Sequence, residues 1–198
     1  MQYIEQILFV AILAVAIYFF TQKVKQIRRN ILIGKDQIIN DNKPARWMMM
    51  AKVALGQSKM VVRPVAGFFH ILIYLGFVLI NIEVLEILMD GIFGTHRVLS
   101  FMGPVYDAAI GFFEILAVLV LVSCLVFLGR RFVVHIPRFH SPEMKGWATK
   151  DATYILVIEI VLMGALLKMN AVDQVLQSKG ADHYVAAGSF PVSQYLVG

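Results

Sequence analysis

One cysteine, Cys124, stands in a chain of 198 residues. An internal disulfide is excluded, as are CxxC and Cys/His metal sites, and this chain alone cannot ligate an iron–sulfur cluster. Cys124 lies within an apolar run, where a thiol serves as a small hydrophobe. Charge is scarce as well. Only 16% of residues are charged and 59% are apolar, against about 25% and ~45–50% in a typical soluble domain. The sequence contains no phosphate-binding glycine loop, nucleophile elbow or zinc motif, so it shows no complete catalytic site and no catalytic residue. The start, Met1-Gln2-Tyr3-Ile4-Glu5, lacks the basic residues of a signal peptide. The charges follow the first apolar run instead, and that run reads as a retained helix.

What is present is a set of long apolar runs separated by polar, basic stretches. This is the pattern of an all-α integral membrane protein. The runs predict spans at about 4–21, 65–89, 105–128 and 152–169, all within a single membrane domain covering 1–198. Basic loops at 22–64 and 129–151 separate them. Within the first loop, 45–60 reads as a short amphipathic surface helix rich in Met and Lys, after a turn at 36–44. Pro64 and Gly103-Pro104 suit helix starts, and Thr149 or Asp151 suits the cap of the fourth span. The tail is polar to Ala186 and then turns apolar, with Ser189 and Pro191 resembling another helix start. The fold expected is a bundle of four transmembrane helices with a fifth beginning at the C-terminus, and the sequence reads as an N-terminal fragment of a longer protein.

The net charge of +5 could suggest nucleic acid, but the positive charges cluster beside the apolar runs. Fifteen of the eighteen basic residues lie in the two basic loops, leaving Arg97, Lys168 and Lys179 on the other side. The positive-inside rule then predicts a multi-pass protein of the cell inner membrane, with cytoplasmic basic loops and the N-terminus outside. Nucleic acid is not an expected partner; the lipid bilayer is.

His70 is the ionisable residue that stands out within a span, which marks it as a functional candidate. Gly67, His70, Tyr74, Phe77 and Asn81 share one helical face. A histidine, a small neighbour and aromatic walls suit a flat cofactor such as haem; the alternative is a histidine hydrogen-bonded to a neighbouring helix. His96 and His183 fall in outer segments, and His135 and His140 in a basic loop. No second histidine is placed to complete a six-coordinate haem.

Carboxylates form the other set. Glu83, Glu86 and Asp90 follow helical spacing on span two, Glu114 lies inside span three with Asp107 on its face, and Glu159 lies inside span four with Asn170 on its face. Carboxylates at such depth pair, face the interior or hold a proton. Glu83, Glu114 and Glu159 are therefore candidates for proton traffic to or from a quinone. The structural alternative pairs Glu83 or Glu114 with Arg97.

The segment Ala54-Leu55-Gly56-Gln57-Ser58-Lys59-Met60, leading through Arg63-Pro64 into Gly67-Phe68-Phe69-His70-Ile71-Leu72-Ile73-Tyr74-Leu75-Gly76-Phe77, resembles the membrane domain of heterodisulfide-reductase-related iron–sulfur proteins. That domain is similar to the cytochrome b (gamma) subunit of respiratory nitrate reductases. Gly91-Ile92-Phe93-Gly94-Thr95-His96-Arg97 and Ala187-Gly188-Ser189-Phe190-Pro191-Val192-Ser193 resemble the fused bacterial members. The resemblance implies five helices, haem b held between spans two and five, and electrons passing between quinol and cytoplasmic iron–sulfur clusters that follow the fifth helix. His70 matches the cytoplasmic-side ligand. Two departures limit the transfer. Ile80 stands where a two-haem pattern wants a second histidine, so one haem b is the most the sequence supports. The partner ligand belongs to the fifth helix, which is absent, and the iron–sulfur clusters belong to a missing C-terminal part.

The reading is a membrane anchor and electron-transfer domain of a quinone-linked oxidoreductase, with a cytoplasmic iron–sulfur domain or subunit as partner. A cofactor-free scaffold that docks a soluble redox partner is the alternative. An ion-coupled transporter would call for broken helices or an inverted repeat, and neither is visible.

Overall fold

The computed structural model describes residues 2–35, 41–134, 136 and 146–197. His135, His140 and the 36–40 part of the expected turn lie outside the described residues, as does the Thr149 side chain. The described chain is helical: α1 Gln2–Ile31, α2 Lys43–Met50, α3 Pro64–Phe93, α4 Pro104–Phe132 and α5 Trp147–Ser178. A π-turn, Ala51–Leu55, extends α2, and short 3-10 turns occupy Val98–Met102 and Ser193–Leu196. Four of these helices are long and apolar enough to cross a membrane, and the 3-10 turn at Ser193 is the helical start that follows them.

The helices outrun the apolar spans. α3 has 30 residues, about 45 Å at 1.5 Å per residue, where a ~30 Å hydrocarbon core needs ~20. The extra turns carry the polar ends, because a backbone that leaves lipid remains helical until a proline or a left-handed residue stops it. Prolines open three of these helices, at Pro44, Pro64 and Pro104. α5 starts at Trp147, after Gly146 at φ 88°. It has no side-chain cap, so Asp151 sits inside the helix rather than capping it.

The chain divides into two units, residues 1–59 with 87–95, and residues 60–86 with 96–198. In the first unit, Ile7, Phe19 and Phe20 of α1 are exposed, as a lipid-facing helix requires. The Gln6 amide donates to the Ile92 carbonyl, and the Phe9 ring occupies the space beside Gly91. α2 ends in the π-turn, where the Gly56 N–H donates to the Ala51 carbonyl at 2.9 Å.

The second unit contains the core, and α4 is its centre. Ile110, Phe113, Leu116, Ala117, Val120 and Cys124 are buried along one side of α4, and Met163, Leu166, Leu167 and Ala171 line the buried side of α5. Helices in lipid associate through close packing rather than the hydrophobic effect, so small residues mark their contacts. Gly76 of α3 is such a contact, since a Cβ there would collide with the Val120 side chain. Gly76→Leu is therefore expected to destabilise the bundle by about 1–3 kcal/mol, with part of the loss recovered by adding Val120→Ala. Thermal unfolding followed by circular dichroism in detergent checks this; an unchanged unfolding temperature in the single variant would contradict the contact.

A buried polar network as the candidate functional site

Where α3 ends, α4 begins and α5 ends, the second unit buries polar side chains instead of apolar ones. Arg97 is their hub. It lies in the connection between α3 and α4, in the left-handed region at φ 53°, and is itself buried. This conformation is uncommon for a residue with a Cβ and persists where surrounding bonds enforce it. Arg97 Nε and Nη2 both reach Asp173 Oδ2 of α5, at 2.8 and 2.7 Å. Nη2 also donates to Asn170 Oδ1 at 2.9 Å, and Nη1 donates to the Tyr106 hydroxyl at 3.0 Å. The Phe190 ring lies 5.3 Å from the guanidinium carbon, within cation–π range. Burial alone would lower the proton affinity of the guanidinium. The Tyr106 hydroxyl and the Asp173 carboxylate outweigh that, and the group is held above its ordinary range.

The network continues on both sides. Tyr106 donates to Glu86 Oε2 at 2.6 Å, and Glu86 Oε1 accepts the Leu99 N–H at 2.8 Å. His96 Nδ1 accepts the Val185 N–H at 3.0 Å, and His96 Nε2 lies 2.8 Å from Asp173 Oδ1. Because Nδ1 accepts, Nε2 carries the proton and donates to Asp173. The Tyr184 ring packs against this imidazole at 4.5 Å, tilted by 51°.

Glu83 is the exception. It is 2% exposed, neither of its oxygens accepts a hydrogen bond, and its nearest cation is Arg97 Nη1 at 3.6 Å. The Asn170 amide nitrogen is likewise buried without an acceptor. Of the two pairings expected as structural alternatives, Arg97 faces Glu83 and not Glu114.

Glu114 does different work. Its Oε2 accepts the N–H groups of Val192 and Ser193 at 2.9 and 3.1 Å, and its Oε1 accepts the Ser193 hydroxyl. One helical repeat pair earlier, Asp107 Oδ1 accepts the Gly188 N–H at 2.6 Å. Two carboxylates on one face of α4 thus secure segment 188–193, and Glu114 meets the exposed N–H groups that open the last helical turn. Gly188, at φ 94°, supplies the bend that turns the segment onto α4. Gln177 of α5 fixes the same segment through the N–H and C=O of Ala187.

His70 sits half-buried on α3, well before the network residues in sequence. The side of Gly67 without a Cβ is filled by its own chain: an added Cβ would lie 2.9 Å from Val61 Cα and 3.0 Å from the Met60 carbonyl oxygen. Glu159 is half-buried on α5. Among the described residues, no three His, Cys, Asp or Glu side chains group as metal ligands would.

Over 136 residues, 67% of its length, the chain is 29% identical to the probable iron–sulfur-binding oxidoreductase FadF of Bacillus subtilis. That similarity supports an oxidoreductase-related family. The chain spans 18% of the relative's length. No family model matches the chain, and no solved structure does.

Sequence reasoning marked Glu83 and named Arg97 as a pairing candidate, but it did not find Tyr106 and Asp173, and it left His96 as an outer-segment residue. The available signal was Arg97, the one basic residue between spans two and three, placed next to an acidic helix face. Removing one partner of a buried ion pair leaves the others uncompensated. Arg97→Ala is therefore expected to lower stability by about 3–5 kcal/mol. Arg97→Lys should fall between, because an ammonium cannot reproduce the planar fork. Thermal unfolding of the two variants beside wild type measures this; an Arg97→Ala protein as stable as wild type would contradict the hub.

Proposed function

We propose that this chain is the membrane part of a quinone-linked iron–sulfur oxidoreductase, passing electrons between the quinone pool and cytoplasmic iron–sulfur clusters held by another domain or subunit. The supporting observation is the similarity to an iron–sulfur-binding oxidoreductase carried on four helices able to cross a membrane. The chain's single cysteine fits clusters held elsewhere. The excess of Lys and Arg in loops 22–64 and 129–151 supports an inner-membrane orientation with those loops cytoplasmic and the N-terminus outside. The polar network then sits at the outer side.

A haem b, when bound, would supply one-electron transfer, and His70 would be one of its axial ligands. The residues present fit that one position and no more. His96 is engaged by Asp173 and the Val185 N–H, His183 is exposed in the outer tail, and the face of Gly67 is closed by the preceding turn. A second ligand must come from outside the described residues. For proton traffic beside a quinone, Glu83 is the strongest of the three carboxylates. Glu114 is occupied by segment 192–193, and Glu159 makes no contact with the network. The closed face at Gly67 favours the second reading, a cofactor-free scaffold that docks a soluble redox partner through the basic loops.

A reduced-minus-oxidised visible spectrum of the purified full-length protein separates the two. A b-type band is expected, lost in His70→Ala. A full-length protein from a haem-sufficient host that shows no band would remove the haem and leave the scaffold.

A further inference from the structure

We propose that Glu83 is a resident proton carrier, a carboxyl group that holds an exchangeable proton beside Arg97 within the buried network. This deepens the quinone reading and rests on it for the proton's destination, not for its existence.

Among the described residues, the network holds three carboxylates, Glu83, Glu86 and Asp173, and one buried Lys or Arg, Arg97. His96 adds no charge, since its Nδ1 is occupied as an acceptor. Asp173 takes the Nε and Nη2 side of the guanidinium at 2.7–2.8 Å and the His96 ring besides. Glu86 is satisfied by the Tyr106 hydroxyl and the Leu99 N–H. Glu114, the further acid on α4, is satisfied by three donors of segment 192–193. Each of these three carboxylates has donors in hydrogen-bonding geometry; Glu83 has none in that geometry, its neighbouring donor being the Asn170 amide.

An ionised carboxylate removed from water and left without a hydrogen bond is the costliest state available to the group. The one cation near it is already committed to Asp173, and 3.6 Å is too long for a charge-assisted hydrogen bond. A proton on Glu83 removes that penalty and reduces the negative excess of the network. The unused Asn170 amide nitrogen and Gln174 Oε1, one turn apart on α5, are further buried polar atoms without partners. Of the two, Asn170 neighbours Glu83, and its amide offers that carboxyl group a donor.

Infrared difference spectroscopy of the full-length protein in lipid tests this at neutral pH. Wild type minus Glu83→Gln should show the carbonyl stretch of one protonated carboxyl group, and that band should shift in heavy water. Gln is the neutral isostere of the protonated acid, so Glu83→Gln should unfold within roughly 2 °C of wild type, a shift well under that of a lost buried interaction. A difference spectrum carrying the carboxylate stretches instead, or an unfolding temperature that falls by many degrees, would show an ionised partner of Arg97 and overturn the proposal. If the protonated band is present and quinone turnover is unchanged in Glu83→Gln, the proton site stands and its link to quinone is lost.

Discussion

A guanidinium withdrawn from water must be answered by acceptors on every side, and this constraint organises the second unit of the chain. Arg97 is buried in a connection, not on a helix, and it draws acceptors from two helices, Asp173 and Asn170 from α5 and Tyr106 from α4, with Glu83 of α3 3.6 Å away. The connection is thereby fixed to α4 and α5 by one side chain. Its left-handed backbone follows from that fixation. An arginine in this conformation would otherwise relax, and the planar fork of donors is what makes the alternative conformations worse.

The same logic of internal satisfaction explains segment 187–193. A chain that turns back into a bundle brings backbone N–H groups with it, and in an apolar medium each needs a partner. Asp107 and Glu114 supply acceptors for the N–H groups of Gly188, Val192 and Ser193. Gln177 pairs with Ala187 on both its N–H and C=O. Asp107 and Glu114 thus organise backbone, whereas neither Glu83 oxygen accepts a bond in hydrogen-bonding geometry, the contrast on which its proposed proton role rests.

The division was only half legible in the sequence. Long apolar runs revealed the four membrane-crossing helices, because lipid imposes a length and a composition that little else imitates. Helix ends were not legible from hydropathy: α5 begins at Trp147, well before its apolar run, since polar residues continue a helix without marking it. The depth of Glu83 and Glu114 could be read directly. Arg97 was legible as a pairing candidate for Glu83, but its main partner was not, because Arg97 and Asp173 are 76 residues apart and no helical period links them. The pairing of Asp107 with Glu114 on one face was visible as spacing. What the face holds, a returning segment, depends on tertiary structure alone. His70 and Gly67 kept their places on α3, and the turn at Met60–Val61 that closes over Gly67 is a contact the sequence pattern gives no sign of.

Four helices able to cross a membrane and similarity to part of an iron–sulfur-binding oxidoreductase support the proposal of a membrane part that passes electrons to clusters held elsewhere. The direct test is electron paramagnetic resonance of the iron–sulfur clusters in the full-length protein or its complex, reconstituted in lipid and mixed with quinol and then with quinone. The account predicts that the clusters change oxidation state in response, and that this response disappears when residues 1–198 are removed. Clusters that respond to a soluble reductant but never to quinol or quinone would contradict it.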